Sequence, residues 1–98
     1  MIIVTGVLMA KADCVDQMLQ LGLEHVRRSR TEDGCISHDV SVDGENPDRL
    51  LFVERWRDMD SLMVHFALDA SKGFVKSLAP LVSAAPEMKI YDAAEVPR

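Results

Sequence analysis

The chain has 98 residues, of which 48% are hydrophobic and 28% charged, and its formal net charge is −5. This length and composition predict a single globular domain over residues 1–98 and exclude a disordered or membrane-embedded chain. The negative charge repels a phosphate backbone, and the one basic cluster, Arg27, Arg28 and Arg30, is too small for a nucleic-acid footprint, so we expect no nucleic-acid partner.

A first strand is predicted over Ile2–Met9. Its β-branched and aliphatic side chains occupy both alternating faces, which is typical of a strand that is covered on both sides. The apolar stretch from Met1 to Ala10 is too short for a signal peptide or a membrane span. We therefore expect a cytoplasmic protein with no membrane partner.

A helix is predicted to follow, starting at Ala12 or Asp13, with Asp13 as its N-cap, and running to about Thr31. Its apolar residues recur at helical spacing, at Val15, Met18, Leu19, Gly22 and Val26. The turn-forming pair Asp33-Gly34 ends the helix.

The next two segments predict a β-hairpin. Residues Cys35–Asp43 alternate with a period of two, and one face carries Ile36, His38, Val40 and Val42. Turn-forming residues fill positions 44–48, and a strand follows over Arg49–Arg57. One face of that strand carries Leu50, Phe52, Glu54 and Trp56.

The two cysteines, Cys14 and Cys35, lack the short spacing of a metal site. In a reducing compartment they are most simply free, although a single disulfide stays open. Cys35 and His38 are three residues apart, so on a regular strand their side chains point to opposite faces. This spacing argues against a catalytic cysteine-histidine pair.

Two helical segments and a strand complete the chain. Asp58 or Asp60 caps the second helix. Four apolar positions of this helix are expected to face the core, namely Met59, Leu62, Met63 and Phe66. His65 lies beside them. The chain is interrupted around residues 69–73, and a third helix buries Phe74, Val75, Leu78, Leu81 and Val82. The last strand is predicted over Met88–Val96.

The β-α-β-β-α-β order predicts an α+β fold of the ferredoxin-like type, a four-stranded antiparallel sheet with helices on one face. Because the first strand is apolar on both faces, a monomer would expose an apolar patch on the side away from the helices. We therefore expect a homodimer that packs sheet against sheet.

Several motifs resemble the antibiotic biosynthesis monooxygenase superfamily. They are Gly34-Cys35, Asn46-Pro47, Glu54-Arg55-Trp56 followed by Asp58, Leu62 and His65, and then Ser71 and Phe74 into Leu78. The resemblance implies a dimeric α+β barrel that is similar to quinol monooxygenases and uses no cofactor.

The chain departs from that superfamily at four positions. Gly73 stands where many members carry a second histidine, and His38 where many carry a tyrosine. In the haem-degrading branch an asparagine aligns near Gly6 and a tryptophan with His65, so we do not expect haem degradation.

Oxygenation without a cofactor needs a base, and His65 is the best candidate. Glu54 shares an apolar strand face with Phe52 and Trp56, and a buried carboxylate must have a partner. That partner is either His65, which Glu54 would orient, or an arginine of the dimer mate. The alternative for His65 is a half-buried histidine with a local hydrogen bond.

The expected substrate-binding residues are Trp56, Phe66, Phe74, His38 and Tyr91. The alternatives are that Trp56 is simply a core residue, that His38 is a satisfied core or interface histidine, and that Tyr91 is an interface residue. The histidines at 25, 38 and 65 are too scattered for a metal site within one chain segment, and no glycine-rich phosphate loop is present. We therefore expect neither a metal nor another cofactor.

These observations predict a cofactor-independent monooxygenase that acts on a small aromatic or quinol-type substrate. Two alternatives stay open: an isomerase of a small hydroxy-carbonyl compound, and a non-catalytic dimer of the same fold that binds a small molecule.

Overall fold

Four strands form one antiparallel sheet, and three helices pack against one of its faces. The computed structural model describes residues 1–98. Its elements in chain order are β1 (Ile2–Met9), α1 (Val15–Ser29), β2 (Cys35–Val42), β3 (Arg49–Trp56), α2 (Met59–Ala67), α3 (Asp69–Leu78) and β4 (Glu87–Asp92). The strand order in the sheet is β2-β3-β1-β4. This architecture confirms the predicted ferredoxin-like fold.

The inner face of the sheet holds the core. Along β3 every second residue is buried, and these residues are Leu50, Phe52, Glu54 and Trp56. They lie beside Ile2, Val4 and Leu8 of β1, and Met18 and Val26 of α1 are completely buried as well. The predicted inner face of β3 is confirmed. Complete burial of an aliphatic side chain such as Leu50 contributes about 1.5–3 kcal/mol to folding.

A β-bulge changes the start of β2. Cys35 pairs with Trp56 and His38 pairs with Glu54, but the register shifts between Cys35 and Ser37. Residues that pair across two strands share a face, so Cys35 and His38 both lie on the inner face. The expectation that they point to opposite faces was wrong, because the bulge adds one residue. That residue, Ile36, is 57% exposed rather than part of the apolar face.

The start of α1 also differs from the prediction. Asp13 has a φ of 64°, in the left-handed region that aspartate tolerates, and Cys14 takes the N-cap position without a side-chain cap. Asp13 is therefore not the N-cap. The helix ends at Ser29, two residues before the predicted end at Thr31.

The caps and faces of α2 and α3 are partly as predicted. The Ser61 amide donates to Asp58 Oδ1 at 2.8 Å, which confirms Asp58 as the N-cap of α2. Met59 and Met63 were expected in the core but are 40% and 54% exposed, because the buried stripe of α2 is narrow. Val75 of α3 is exposed too.

The break between α2 and α3 lies at one residue. Leu68 is extended, with φ −65° and ψ 139°, and α3 begins at the next residue. The interruption predicted over residues 69–73 is therefore placed too late. None of the three helices combines the length and the hydropathy that a membrane span requires.

The last strand is shorter than predicted. β4 ends at Asp92, four positions before the expected Val96, and all six of its residues are exposed. Met88 and Ile90 pair with Gly6 and Val4 of β1, so they share the face that the helices partly cover. This edge of the sheet is therefore only lightly covered.

Gly34 joins α1 to β2 at a tight turn. Its φ is +84°, and its carbonyl accepts a hydrogen bond of 2.8 Å from the Arg57 amide. A Cβ at this position would collide with the side chain of Ser61 at the start of α2. Glycine is therefore required both by the backbone conformation and by the packing.

We expect Gly34→Ala to lower the free energy of unfolding by about 1–3 kcal/mol, since it adds backbone strain and a clash. Urea unfolding followed by circular dichroism measures this change. Gly44→Ala is the matched control, because Gly44 has no positive φ and a Cβ there meets nothing within 4 Å. Equal stabilities of the two variants would contradict this account of the turn.

Candidate active site

A cavity of about 520 Å³ lies between the sheet and the helices. Most of its wall is apolar and comes from both layers, including Val4, Leu8, Phe52, Phe66, Phe74 and Leu78. Four polar side chains of the wall lie close together, namely His25, His38, His65 and Glu54. An apolar cavity of this size with a few convergent polar groups is typical of a small-molecule site.

Three imidazole rings meet at this cavity, and we call His25, His38 and His65 the histidine cluster. They come from α1, β2 and α2, and each is at most 6% exposed. Their ring centroids are 5.1 to 5.8 Å apart. One ring nitrogen from each lies within 4.8 Å of the other two. The fold thus brings together residues that are far apart in the sequence.

Each ring of the cluster is held through its Nδ1 atom. His65 Nδ1 lies 2.8 Å from Glu32 Oε1, and because a carboxylate only accepts, Nδ1 carries the hydrogen. The hydroxyl hydrogen of Ser29 is donated to the Val26 carbonyl. His38 Nδ1, which lies 2.5 Å from Ser29 Oγ, is therefore the donor in its own hydrogen bond with that hydroxyl oxygen. In their neutral forms both rings therefore carry the lone pair on Nε2.

His25 has the opposite tautomer. Its Nδ1 accepts a hydrogen bond of 2.6 Å from Arg28 Nη2, and a guanidinium can only donate. The lone pair on His25 Nδ1 is therefore occupied by the hydrogen bond from Arg28. Its ring stacks on Phe74, with centroids 4.0 Å apart and planes at 7°.

Glu54 stands between two of the imidazoles. Its Oε1 accepts a hydrogen bond of 3.0 Å from Trp56 Nε1 and lies 3.8 Å from His65 Nε2. Its Oε2 lies 3.8 Å from His38 Nε2. Both contacts exceed hydrogen-bond length. Glu54 therefore lies within ion-pair distance of His65 but makes no hydrogen bond to it, and the hydrogen bond that orients the His65 ring goes to Glu32.

Burial shifts the pKa values of three buried groups at the cavity, His25, His38 and Glu54. It lowers the pKa of His25 to about 3, helped by the charges of His65 and Arg28. Burial also lowers the pKa of His38 to about 3, with smaller effects from His25 and His65. The pKa of Glu54 is raised by burial, against the opposing effects of the Trp56 hydrogen bond and His65. His25 and His38 are consequently neutral at neutral pH.

The structure places four of the expected site residues on the cavity wall besides His65, namely Glu54, His38, Phe66 and Phe74. Trp56 is not among the lining residues. It is completely buried behind His65, with ring centroids 4.8 Å apart, so it supports the site from the core. Tyr91 does not reach the cavity either. It pairs with Ile3 on the opposite face of the sheet and is 48% exposed.

Four residues of the site were not predicted from the sequence. His25 and Ser29 continue the helical spacing of Met18 and Gly22, and that spacing could have identified them as inward-facing. Ser71, in α3, lines the cavity with a buried hydroxyl that has no hydrogen-bond partner. Glu32 follows the end of α1, and no pattern in the sequence indicates its contact with His65.

This chain is similar to known proteins both in sequence and in structure. The family model described as antibiotic biosynthesis monooxygenase matches residues 1–77. A Deinococcus radiodurans crystal structure, described as a candidate antibiotic biosynthesis monooxygenase, is 28% identical with a TM-score of 0.94, covering 100% of this chain and 97% of that one. A conserved Methanosarcina mazei protein is 29% identical with a TM-score of 0.87, covering 92% and 89%.

A curated relative shows the same similarity in sequence. Protein sll1783 of Synechocystis sp. is 33% identical over 94 residues, which is 96% of this chain and 64% of that protein. The chain therefore spans less than two thirds of the length of this relative. The family match covers most of the chain, and the two structures reproduce its fold almost completely. This chain belongs to the antibiotic biosynthesis monooxygenase family.

Proposed function

We propose that this protein is a cofactor-independent monooxygenase whose substrate is a small hydroxylated aromatic compound of the quinol type. One observation carries the proposal: an apolar cavity of about 520 Å³ with the His65 imidazole in its wall. A planar aromatic molecule suits the apolar wall, and the imidazole supplies a base next to it. Membership of the family supports the reaction class.

His65 is the best base of the three histidines. When it takes a proton, its two nitrogens lie 2.8 Å from Glu32 and 3.8 Å from Glu54, so carboxylates flank the imidazolium on both sides. Both ring nitrogens of His65 thus face a carboxylate once the ring has accepted the substrate proton. His25 lies beside the Arg28 guanidinium instead, which opposes protonation.

The proposed reaction begins with proton transfer from the substrate hydroxyl to His65 Nε2. The resulting anion passes one electron to O2, and the substrate radical and superoxide combine in a C–O bond to give a peroxide. His65 returns its proton to the peroxide. Cleavage of the O–O bond with loss of the hydrogen on the same carbon then leaves a carbonyl oxygen on the product and releases the other oxygen as water. Exclusion of water from the apolar cavity protects the reactive anion.

We expect the native protein to consume O2 with a hydroquinone or an anthrone, and His65→Gln to lower kcat by about 10²–10⁴-fold, the usual contribution of a general base. An oxygen electrode measures the rate in protein that has been dialysed against a chelator. Met63→Gln is the matched control, because Met63 lies on the same helix and is 54% exposed.

Two results would contradict this proposal. The first is O2 consumption by His65→Gln at the native rate. The second is substrate turnover in the absence of O2, which would instead support an isomerase that uses the same histidine.

The neutral state of His25 and His38 also predicts how stability depends on pH. In the unfolded chain His25 and His38 take up protons near their ordinary pKa of 6.5, whereas the folded chain holds them neutral down to about pH 3. Unfolding therefore takes up protons between these values. Stability is unaffected by these two groups above pH 6.5 and falls as the pH is lowered from 6.5 towards 3.

We expect each of these histidines to contribute a slope of about 1 kcal/mol per pH unit below pH 6. Urea unfolding of the native protein and of His25→Gln, each at several pH values between 5 and 7, isolates the contribution of His25. The variant should have the shallower slope, whatever its stability at pH 7. Parallel slopes would show that His25 is not held neutral by the fold.

We also propose that the protein is a homodimer that pairs through the open face of the sheet. Ile3, Val7, Leu51 and Val53 lie on this face and are only half covered in the single chain. Tyr91 extends the same face and is 48% exposed. A second copy would bury this apolar surface by packing sheet on sheet.

We expect the native protein to sediment with twice the monomer mass and Val53→Glu to sediment as a monomer, because a carboxylate at the centre of the open face would be buried without a partner. Val64→Glu is the control, since Val64 is 63% exposed on α2. A monomeric native protein, or a dimeric Val53→Glu, would exclude this interface.

A further inference from the structure

Three electron-pair donors converge in one part of the cavity wall. They are His38 Nε2, His65 Nε2 and the Glu54 carboxylate, whose two oxygens lie 3.8 Å from the respective nitrogens. Neither Nε2 atom makes a hydrogen bond within the chain, and the ring of each residue is hydrogen-bonded through Nδ1 alone. Lone pairs that face one another in a buried site repel unless a proton or a cation lies between them.

The other atoms of these three side chains are already held. Glu32 fixes the His65 ring, Ser29 fixes the His38 ring, and the Trp56 indole donates to Glu54. Metal-binding histidines almost always donate their second ring nitrogen in this way, and ligating carboxylates are themselves hydrogen-bonded. The outer contacts of a metal site are therefore present around the three donors.

His25 differs from the other two histidines, although its ring belongs to the same cluster. Its Nδ1 lone pair accepts from Arg28 Nη2 at 2.6 Å, so its Nε2 carries the hydrogen and has no lone pair to offer. Coordination by His25 would require the Arg28 contact to break. The donor set is thus two imidazoles and one carboxylate.

We propose that His38, His65 and Glu54 form a binding site for a divalent first-row transition-metal ion, with Zn²⁺ as a suitable example. Imidazole and carboxylate ligands suit such ions, and two histidines with one carboxylate leave coordination positions free towards the cavity. Metal-ligand bonds of about 2.0–2.1 Å place tetrahedral ligand atoms about 3.3–3.4 Å apart, so the 3.8 Å separations need to contract by only a few tenths of an ångström.

The charge balance favours a cation here. Glu54 and Glu32 place two carboxylates around the two rings, and Glu32 Oε2 is buried without a hydrogen-bond partner. Two guanidinium groups lie nearby, but neither contacts a proposed ligand atom: Arg28 contacts His25, and Arg30 Nε donates to the backbone carbonyl of His38 at 2.9 Å. A divalent ion would offset both carboxylates.

This site does not depend on the proposed oxygenase reaction, and it competes with it. The metal ion would use the same His65 Nε2 lone pair that accepts the substrate proton. Metal binding and base catalysis therefore exclude each other, and a bound Zn²⁺ ion is expected to act as an inhibitor that a chelator removes.

The test uses purified full-length protein from which metals have been removed by chelation. We expect Co²⁺ to bind in a 1:1 ratio, with visible ligand-field absorption, and Zn²⁺ to displace it. Substitutions His38→Gln, His65→Gln and Glu54→Gln should each weaken Zn²⁺ binding at least about tenfold, because each removes one ligand. His25→Gln should stay within about threefold of the native affinity.

Cys35→Ser is the second control, since Cys35 lies on the same inner face and a thiolate could also bind these ions. It should bind Zn²⁺ like the native protein. Circular dichroism checks that each variant is folded. The Cu²⁺ form of the unmodified protein offers a measurement that needs no variant, because its electron paramagnetic resonance spectrum should show coupling to two imidazole nitrogens.

Absence of 1:1 binding, unchanged affinity after loss of His38 or His65, or coupling to no histidine nitrogen would overturn the site. Loss of affinity in His25→Gln equal to that in His38→Gln would overturn the proposed ligand set. Zn²⁺ binding with undiminished O2 consumption would uphold the metal site and exclude His65 as the base. Oxygenase activity without any metal binding would uphold His65 as the base and exclude the metal site.

Discussion

The burial of Glu54 on the inner face of β3 is the constraint on which this structure depends. Its neighbours along that face are Phe52 and Trp56, and an ionised carboxylate in such surroundings costs several kcal/mol unless polar groups reach it. The fold brings the Trp56 indole and the imidazoles of His38 and His65 to its two oxygens. The core of this small chain is thus organised around a polar group.

Each group that approaches Glu54 needs a partner of its own, and these partners lie on other elements. His38 on β2 reaches Ser29 at the end of α1, and His65 on α2 reaches Glu32 in the turn that follows. The first link spans nine positions and the second spans 33. Satisfied buried networks of this kind hold side chains in fixed positions, which is what a catalytic or metal-binding site requires. The same contacts therefore support both the packing of the helices and the chemistry of the cavity.

The sequence predicted those features that depend on local periodicity. Alternation identified β1, the hairpin and the inward position of Glu54, because neighbouring residues decide which face of a strand is apolar. It could not predict the bulge that turns Ile36 outward, since a bulge depends on pairing with β3. Contacts over long separations were also missed. Glu32 meets His65 across 33 positions, and nothing in either segment indicates the other. Tyr91 was misplaced because the short edge strand offered no clear apolar face.

Gly73 departs from the family pattern, and the position of His25 accounts for this departure. The resemblance leads one to expect a second histidine directly before Phe74, but Gly73 is exposed on α3 and a Cβ there meets nothing within 4 Å. In this chain the imidazole beside Phe74 comes from α1 instead, since His25 stacks on that ring at 4.0 Å. A ring supplied by α1 is held by Arg28 from one turn further along the helix, and it is buried rather than exposed. The cavity therefore keeps an imidazole against Phe74, but with a tautomer set by an arginine, so that His25 offers a hydrogen to its surroundings where His38 and His65 offer lone pairs.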